Sequence, residues 1–346
     1  MSKTIKEYIE EKVCPVCLKK VEGSGFEEQK VPEMEFGYDE EFIYRKCPFC
    51  GSWHLVDIPE DFSNYYHDEY YSLSLTPQLV WKQLNERYTF LKKLIMKAVL
   101  KGFSGVAELY ANFGKWHGDM NYILALAKLR LLEKMFKKNY KSVLDVGCGT
   151  GRFVLLLKLL GFSGEILGID PYLDQDWVEF GLFKKSLFEL NRRFDVVVLN
   201  HSLEHFTESP EIVWSKLGEI LDDWGALVIR IPCASTHQFY LYKEKTHLFQ
   251  APTHTIIYSI EGLLQIAFRN NMVLWDFYNE HSWNSLHSEA YLSGITQKEF
   301  SHIKADVKNL HVLKASGVMC FIFIKKNAFE YLRKEYLQKY GLGLKE

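Results

Sequence analysis

From Ser142 onward the chain alternates short apolar runs with stretches of helical period. Val143, Leu144 and Val146 have the β-branched character of a buried strand; Gly147, Gly149 and Gly151 punctuate it, and Phe153 to Leu160 reads as a helix. Ile166 to Ile169 is the next strand and ends in Asp170. Residues 176–185 make a weak third strand, Phe194 to Asn200 a clear fourth and Gly225 to Pro232 a fifth. Ser209-Pro210 caps a helix running to Asp222, and another runs from Ser259 to about Arg269. Met272 to Tyr278, Gly317 to Ile324 and an amphipathic helix over 327–341 complete the pattern. Such alternation specifies a doubly wound α/β sheet with helices on both faces.

Upstream the period is helical alone. Thr76-Pro77 starts one helix, whose Leu79, Val80, Leu84, Leu91, Leu94, Ile95, Ala98 and Val99 recur until Gly102; a second spans Asp119 to Lys138. Both are expected to form a cap beside the sheet, joined by a linker, Gly102 to Gly118, that reads as a mobile lid. Asn64 to Ser72 is dense in tyrosine and reads either as the rim of a substrate mouth or as an aromatic plug between domains. The expected divisions are 1–62, 63–139, 140–326 and 327–346.

Composition adds little to this pattern but removes alternatives. The 346 residues are 47% hydrophobic and 25% charged with a formal charge of −2, which fits a soluble globular protein without general attraction to nucleic acid or acidic membranes. No apolar run reaches the length of a membrane span and the start lacks a signal-peptide core, so the cytoplasm is the expected compartment.

Seven cysteines include two Cys-x-x-Cys pairs, Cys14/Cys17 and Cys47/Cys50. Two such knuckles converge four thiolates on one ion, the tetrahedral set that structural Zn²⁺ prefers. Redox pairs would be the alternative, but neither knuckle starts a helix in a thioredoxin-like unit. The glycines and proline between the pairs suit a loop carrying a short β-hairpin. His54 is near, yet four cysteines leave it an ordinary strand residue. Residues 1–60 carry eight Lys or Arg against thirteen Asp or Glu, the wrong balance for phosphates, so this zinc ribbon is expected to be a docking or folding module.

The glycine turn decides the cofactor. Its spacing is Gly-x-Gly-x-Gly, not the Gly-x-Gly-x-x-Gly of a dinucleotide site, and Asp145 precedes it by two residues. A carboxylate there repels a pyrophosphate but suits the cationic amino-acid end of S-adenosylmethionine. Asp170 can accept both hydroxyls of a ribose. The stretch Leu144 to Gly151 resembles motif I of the class I S-adenosylmethionine-dependent methyltransferases. That resemblance implies a Rossmann-like sheet of seven strands, the last antiparallel between the fifth and sixth. It implies a cofactor site on Asp145, Gly147, Cys148, Gly149 and Gly151, on Asp170 and Pro171, and on Asn200 and His201. Ser186 and Leu187 stand where the family contacts adenine, although the acidic residue frequent there is missing.

After the fourth strand, His201-Ser-Leu-Glu-His205 is similar to the His-x-Leu-Glu-His segment of a subgroup that modifies small molecules and glycans, and His247 lies ahead of the helix that begins at Ser259. The cysteine knuckles followed by tyrosines resemble a zinc-ribbon branch of the same enzymes. A hydroxyl acceptor needs a general base, and His201, His205 and His247 are the candidates. The expected function is O-methylation of a small-molecule or glycan acceptor. An RNA methyltransferase is the competing reading, weakened by the acidic ribbon and by the absence of Asn-Pro-Pro-Tyr after the fourth strand. A non-catalytic scaffold is the third, weakened by the intact Asp145, glycines and Asp170.

Overall fold

The computed structural model describes residues 3–23, 25–62, 64–66, 74–103, 118–280 and 317–339. The predicted lid, apart from its ends, and most of the tyrosine-rich stretch lie outside them.

A seven-stranded sheet forms the body of the protein. Its strands are β4 (Ser142–Val146), β5 (Glu165–Ile169), β6 (Leu182–Phe183), β7 (Phe194–Asn200), β8 (Leu221–Pro232), β10 (Met272–Asn279) and β11 (Val318–Lys325), in the order β10-β11-β8-β7-β4-β5-β6. β11 runs antiparallel between β8 and β10, as the resemblance implies. Alternate side chains enter two cores: Leu144, Val197, Leu199, Leu227 and Ile229 face one way, and Val143, Val196, Val198, Ala226 and Val228 the other. Burial on both faces is why these strands read as continuous apolar runs. The strand order reverses between β4 and β7, so the crevice beyond their carboxyl ends is the expected ligand position.

Helices α5 (Arg152–Leu159), α6 (Pro210–Ile220), α8 (Ile260–Arg269) and α9 (Lys326–Lys339) accompany the sheet, with α4 (Gly118–Phe136) against it and the short α7 (His237–Tyr242) following β8. The predicted single helix from Thr76 to Gly102 is instead two, α2 (Pro77–Arg87) and α3 (Phe90–Leu100). Tyr88 breaks it: its backbone is extended, its ring is buried and its phenol donates to Asp119 on α4, while Thr89 caps α3. Beyond the break Leu91 and Leu94 are exposed, as is Leu79 on α2. The third strand shrinks to two residues because Val178–Phe180 form a 3₁₀ turn ending at Gly181 with φ 70°.

The N-terminal segment begins with α1 (Ile5–Glu10), whose N-cap Thr4 forms a capping box with Glu7. β1 (Glu27–Pro32) and β2 (Glu41–Lys46) make the expected hairpin, and β3 (Trp53–Leu55) pairs with β2. The edge of this small sheet is closed by β9 (Ile256–Ile257), a strand from far along the chain. Ser259, the N-cap of α8, donates to the Cys50 carbonyl, and its amide donates to Ser52 Oγ over 3.0 Å. The close approach requires Gly262: a Cβ there would stand 2.3 Å from Ser52 Oγ and 2.9 Å from Val16 Cγ1. The knuckles therefore dock directly on a helix of the large sheet.

Candidate functional site

A cavity of 340 Å³ opens at the reversal point. One wall is the turn after β4. Gly147 has φ 71°, and a Cβ on it would stand 2.4 Å from that of Ser202, so the backbone lies bare to the cavity. Asp145, Gly147, Cys148 and Gly149 line this wall; Asp170 and Pro171 continue it from the end of β5, and Ser186 and Leu187 stand beyond. Gly151 does not line the cavity; with φ 78° it caps α5, and a Cβ there would strike Leu182.

Both predicted carboxylates are buried and face this space. Asp170 accepts the amides of Gly149 and Tyr172, each over 2.9 Å, yet burial still raises its pKa. Asp145 is pushed up to about 7 by burial, against the opposing pull of the Asn200 amide and of Arg230. Asn200 Nδ2 donates to Asp145 Oδ1 over 2.9 Å, and Arg230 Nη1 donates to Asn200 Oδ1 over 2.8 Å. Arg230 is itself buried in a paired contact with Glu280. A pair of desolvated carboxylates flanking bare backbone fits a ligand that brings positive charge at one end and hydroxyls at the other.

A second wall, adjoining the first, follows β7. His201 adopts the left-handed conformation, φ 53°, with its amide donating 2.8 Å to the Arg230 carbonyl, and Ser202 Oγ donates 2.6 Å to the Val146 carbonyl. These bonds turn the chain sharply, so that His201 and His205 both line the cavity. His247 is half-buried on a separate loop and does not line it. Tyr66 reaches the same wall from the tyrosine-rich stretch and stacks on Tyr172 with centroids 5.0 Å apart, while its neighbour Tyr65 is buried among Phe42, Phe62 and Tyr38.

Behind His205 lies His254, their rings 4.6 Å apart edge to face. Burial lowers the pKa of both and takes His254 down to about 3, so both are neutral near pH 7. Sequence reasoning missed His254, Tyr122, Arg152 and Arg230. Arg152 and Tyr122 line the cavity, with Arg152 held by two 2.7 Å bonds to Asp119. An arginine one residue past the glycine turn was the one signal available.

Away from the cavity, Cys14, Cys17, Cys47 and Cys50 are all buried. Their sulfurs lie within 4.8 Å of one another, with Cys14 to Cys50 at 3.8 Å and Cys17 to Cys47 at 3.6 Å. Tetrahedral zinc with bonds of about 2.3 Å separates its sulfurs by about 3.8 Å, so the set fits that ion. His54, in β3, is buried and is not part of it.

With this geometry in place, the comparisons assign the class. The chain belongs to the methyltransferase domain family, whose model matches residues 116–295, and it is an S-adenosylmethionine-dependent methyltransferase. Among solved structures it is similar to the plantazolicin methyltransferase BpumL in complex with SAH. That match has 15% identity and a TM-score of 0.39 and covers 71% of this chain and 99% of that one. It is also similar to an S-adenosylmethionine-dependent methyltransferase from Clostridium acetobutylicum ATCC 824, at 11% identity and TM-score 0.39, covering 64% and 98% respectively. No curated protein matches by sequence.

Proposed function

We propose that this enzyme transfers a methyl group to a hydroxyl of a small-molecule or glycan acceptor. The observation that carries the reading is the placement of His201 and His205 in one cavity with Asp145 and Asp170. S-adenosylmethionine, when bound, supplies a methyl on a sulfonium that an acceptor lone pair can displace in line. In this reading Asp145 meets the cationic amino-acid end, Asp170 the ribose, the bared backbone of Gly147, Cys148 and Gly149 the body of the molecule, and Ser186 and Leu187 the adenine. Asn200, held by Arg230, keeps Asp145 in place. His201 takes the acceptor proton; His205, whose Nδ1 lies 2.8 Å from the Tyr66 hydroxyl, orients the acceptor. The stacked Tyr66 and Tyr172 suit a sugar or ring acceptor, since phenol rings offer an apolar face and a polar tip.

Residues 1–62 are assigned as a structural zinc ribbon on Cys14, Cys17, Cys47 and Cys50, closed to substrate and stable in a reducing compartment such as the cytoplasm. Of the expected cap, 63–139, the described helices are α2, α3 and α4; the methyltransferase domain is assigned to 140–326, and of the terminal division, 327–346, the described part is α9, ending at Lys339.

The test is a methylation screen with labelled donor on small-molecule, glycan and RNA fractions. An O-methylated small molecule or glycan is the expected product; exclusive labelling of RNA, or of nitrogen or carbon, overturns the reading. With the acceptor in hand, His201→Asn lowers kcat by about 10²- to 10⁴-fold.

A further inference from the structure

Glu204 is fully buried beside the cavity, and among the described residues neither of its carboxylate oxygens has a hydrogen-bond partner. An ionised carboxylate in that condition is costly, by several kcal/mol in typical cases, and native structures pair such groups or give them a cation. Its neighbours do not supply the missing proton donors. His205 Nδ1 faces the Thr253 carbonyl at 2.9 Å, and His254 Nδ1 faces the Leu248 carbonyl at 2.9 Å. A ring nitrogen facing a carbonyl carries the proton, so the Nε2 atom of each neutral ring is left as a bare lone pair. His201 Nδ1 is 3.6 Å from Glu204 Oε1, too far for a hydrogen bond. One carboxylate oxygen and one ring nitrogen from each of the two imidazoles thus lie within 4.8 Å of one another.

We propose that Glu204, His205 and His254 bind a divalent first-row transition-metal cation, with His201 on its cavity side. Three features of the surroundings support a built site. The Nδ1–H to carbonyl contact is the outer bond that fixes the tautomer and aim of metal-binding histidines. The two segments are fastened without the ion: the Thr255 amide donates to the Glu204 carbonyl over 2.8 Å and its hydroxyl to the same carbonyl over 3.1 Å. Tyr44 of β2 clamps the far side by donating 2.7 Å to the His254 carbonyl. Two imidazoles and one carboxylate favour Mn²⁺, Fe²⁺, Co²⁺ or Zn²⁺ over Mg²⁺ and Ca²⁺, which prefer all-oxygen sets. Three protein ligands next to an open cavity leave a coordination position for substrate.

The consequence for catalysis rests on the O-methylation reading; the binding of the cation does not. An acceptor hydroxyl on the open position is acidified. Its proton passes to His201 and on to water. The oxygen lone pair then forms the bond to the methyl carbon, and the electrons of the broken carbon–sulfur bond remain on sulfur.

The experiment uses the full chain, freed of adventitious metal by chelation and reloaded with Zn²⁺ to one equivalent for the cysteine site. Mn²⁺ is then titrated in and followed by electron paramagnetic resonance. One equivalent of Mn²⁺ bound with a Kd below about 100 μM is expected, the affinity of a defined site. His254→Gln and Glu204→Gln, confirmed as folded by circular dichroism, should weaken it at least tenfold while S-adenosylmethionine affinity changes less than threefold. Failure of the wild-type chain to bind Mn²⁺, or undiminished binding in both folded variants, overturns the proposal. Bound Mn²⁺ together with a product methylated on nitrogen or carbon supports the cation site and overturns only the O-methylation reading.

Discussion

The two walls of the cavity are made in different ways. The glycine-turn wall is one strand, one turn and the end of the adjacent strand, fixed by hydrogen bonds between β4, β5 and β7. The histidine wall is assembled from Tyr66, the segment 201–206 and the segment 253–255, and its outer support is the four-stranded sheet that β9 shares with the N-terminal hairpin. Rigidity of the first comes from the central sheet. Rigidity of the second depends on a small sheet whose own core is the hydrophobic cluster of Tyr44, Trp53, Leu55 and Phe249 and whose knuckles carry the four cysteines. Under the proposed function the donor lies in the rigid cradle and the acceptor on the loop-built wall, the arrangement in which a rigid scaffold positions binding residues carried on loops.

The largest expected effect breaks that support. In a Cys14→Ser, Cys47→Ser double variant, bound zinc falls by one equivalent. Amide-exchange protection of Ile256 and Ile257 drops at least about tenfold, while the β4 and β7 amides keep theirs. Exchange mass spectrometry reads this, and equal loss across both sheets would mean that the walls are not independently supported.

Next is the anchor of the other wall. Arg230→Ala leaves Glu280 buried without its partner and releases Asn200, so urea unfolding should report a loss of about 3–5 kcal/mol, the usual cost of breaking a buried pair. A loss under about 1 kcal/mol would place the support of Asp145 elsewhere.

A smaller effect tests the charge of that wall. With Asp145 at about 7, a cationic ligand binds best to the ionised form, so S-adenosylmethionine affinity should weaken on the order of tenfold between pH 7.5 and 5.5. For folding the sign is opposite. A carboxyl raised from its unfolded value favours the folded state below about pH 4, and that contribution fades as pH rises through 7. Asp145→Asn should bind the donor about 10- to 100-fold more weakly in calorimetry at pH 7.5 and lose most of the pH dependence. An unaltered pH profile would move the titrating group away from Asp145.

The smallest effect sharpens the histidine wall. Tyr172→Ala removes the exposed half of the stacked pair and should raise the acceptor KM by about three- to tenfold with kcat unchanged, in line with the ~0.5–1.5 kcal/mol of a ring contact. A matching fall in kcat would mean that Tyr172 orients the reaction rather than holding the acceptor.

Much of the glycine-turn wall is legible in the sequence because its parts are neighbours in the chain. Asp145 and the glycines lie within seven residues, and Asp170 ends the very next strand. The four cysteines are legible for a related reason: the spacing within each knuckle is the one that lets two sulfurs share one tetrahedral ion. The histidine wall is legible only in part. His201 and His205 stand after a strand end and attract notice, but His247 resembles His254 equally well as a residue before α8, and only burial separates them. Nothing local marks Arg230 either, since within an apolar strand it reads as an exception until Glu280 and Asn200 are placed around it.

What the chain determines by itself is therefore the alternation of strand and helix, the donor turn and the cysteine quartet, all governed by contacts a few residues apart or by the preference of one ligand. The folded protein alone decides that Tyr88 interrupts a continuous apolar stripe to reach Asp119, that Ile256–Ile257 complete a sheet begun at Glu27, and that Glu204 meets His254. These depend on which distant groups are desolvated together, a property of packing that no local pattern encodes.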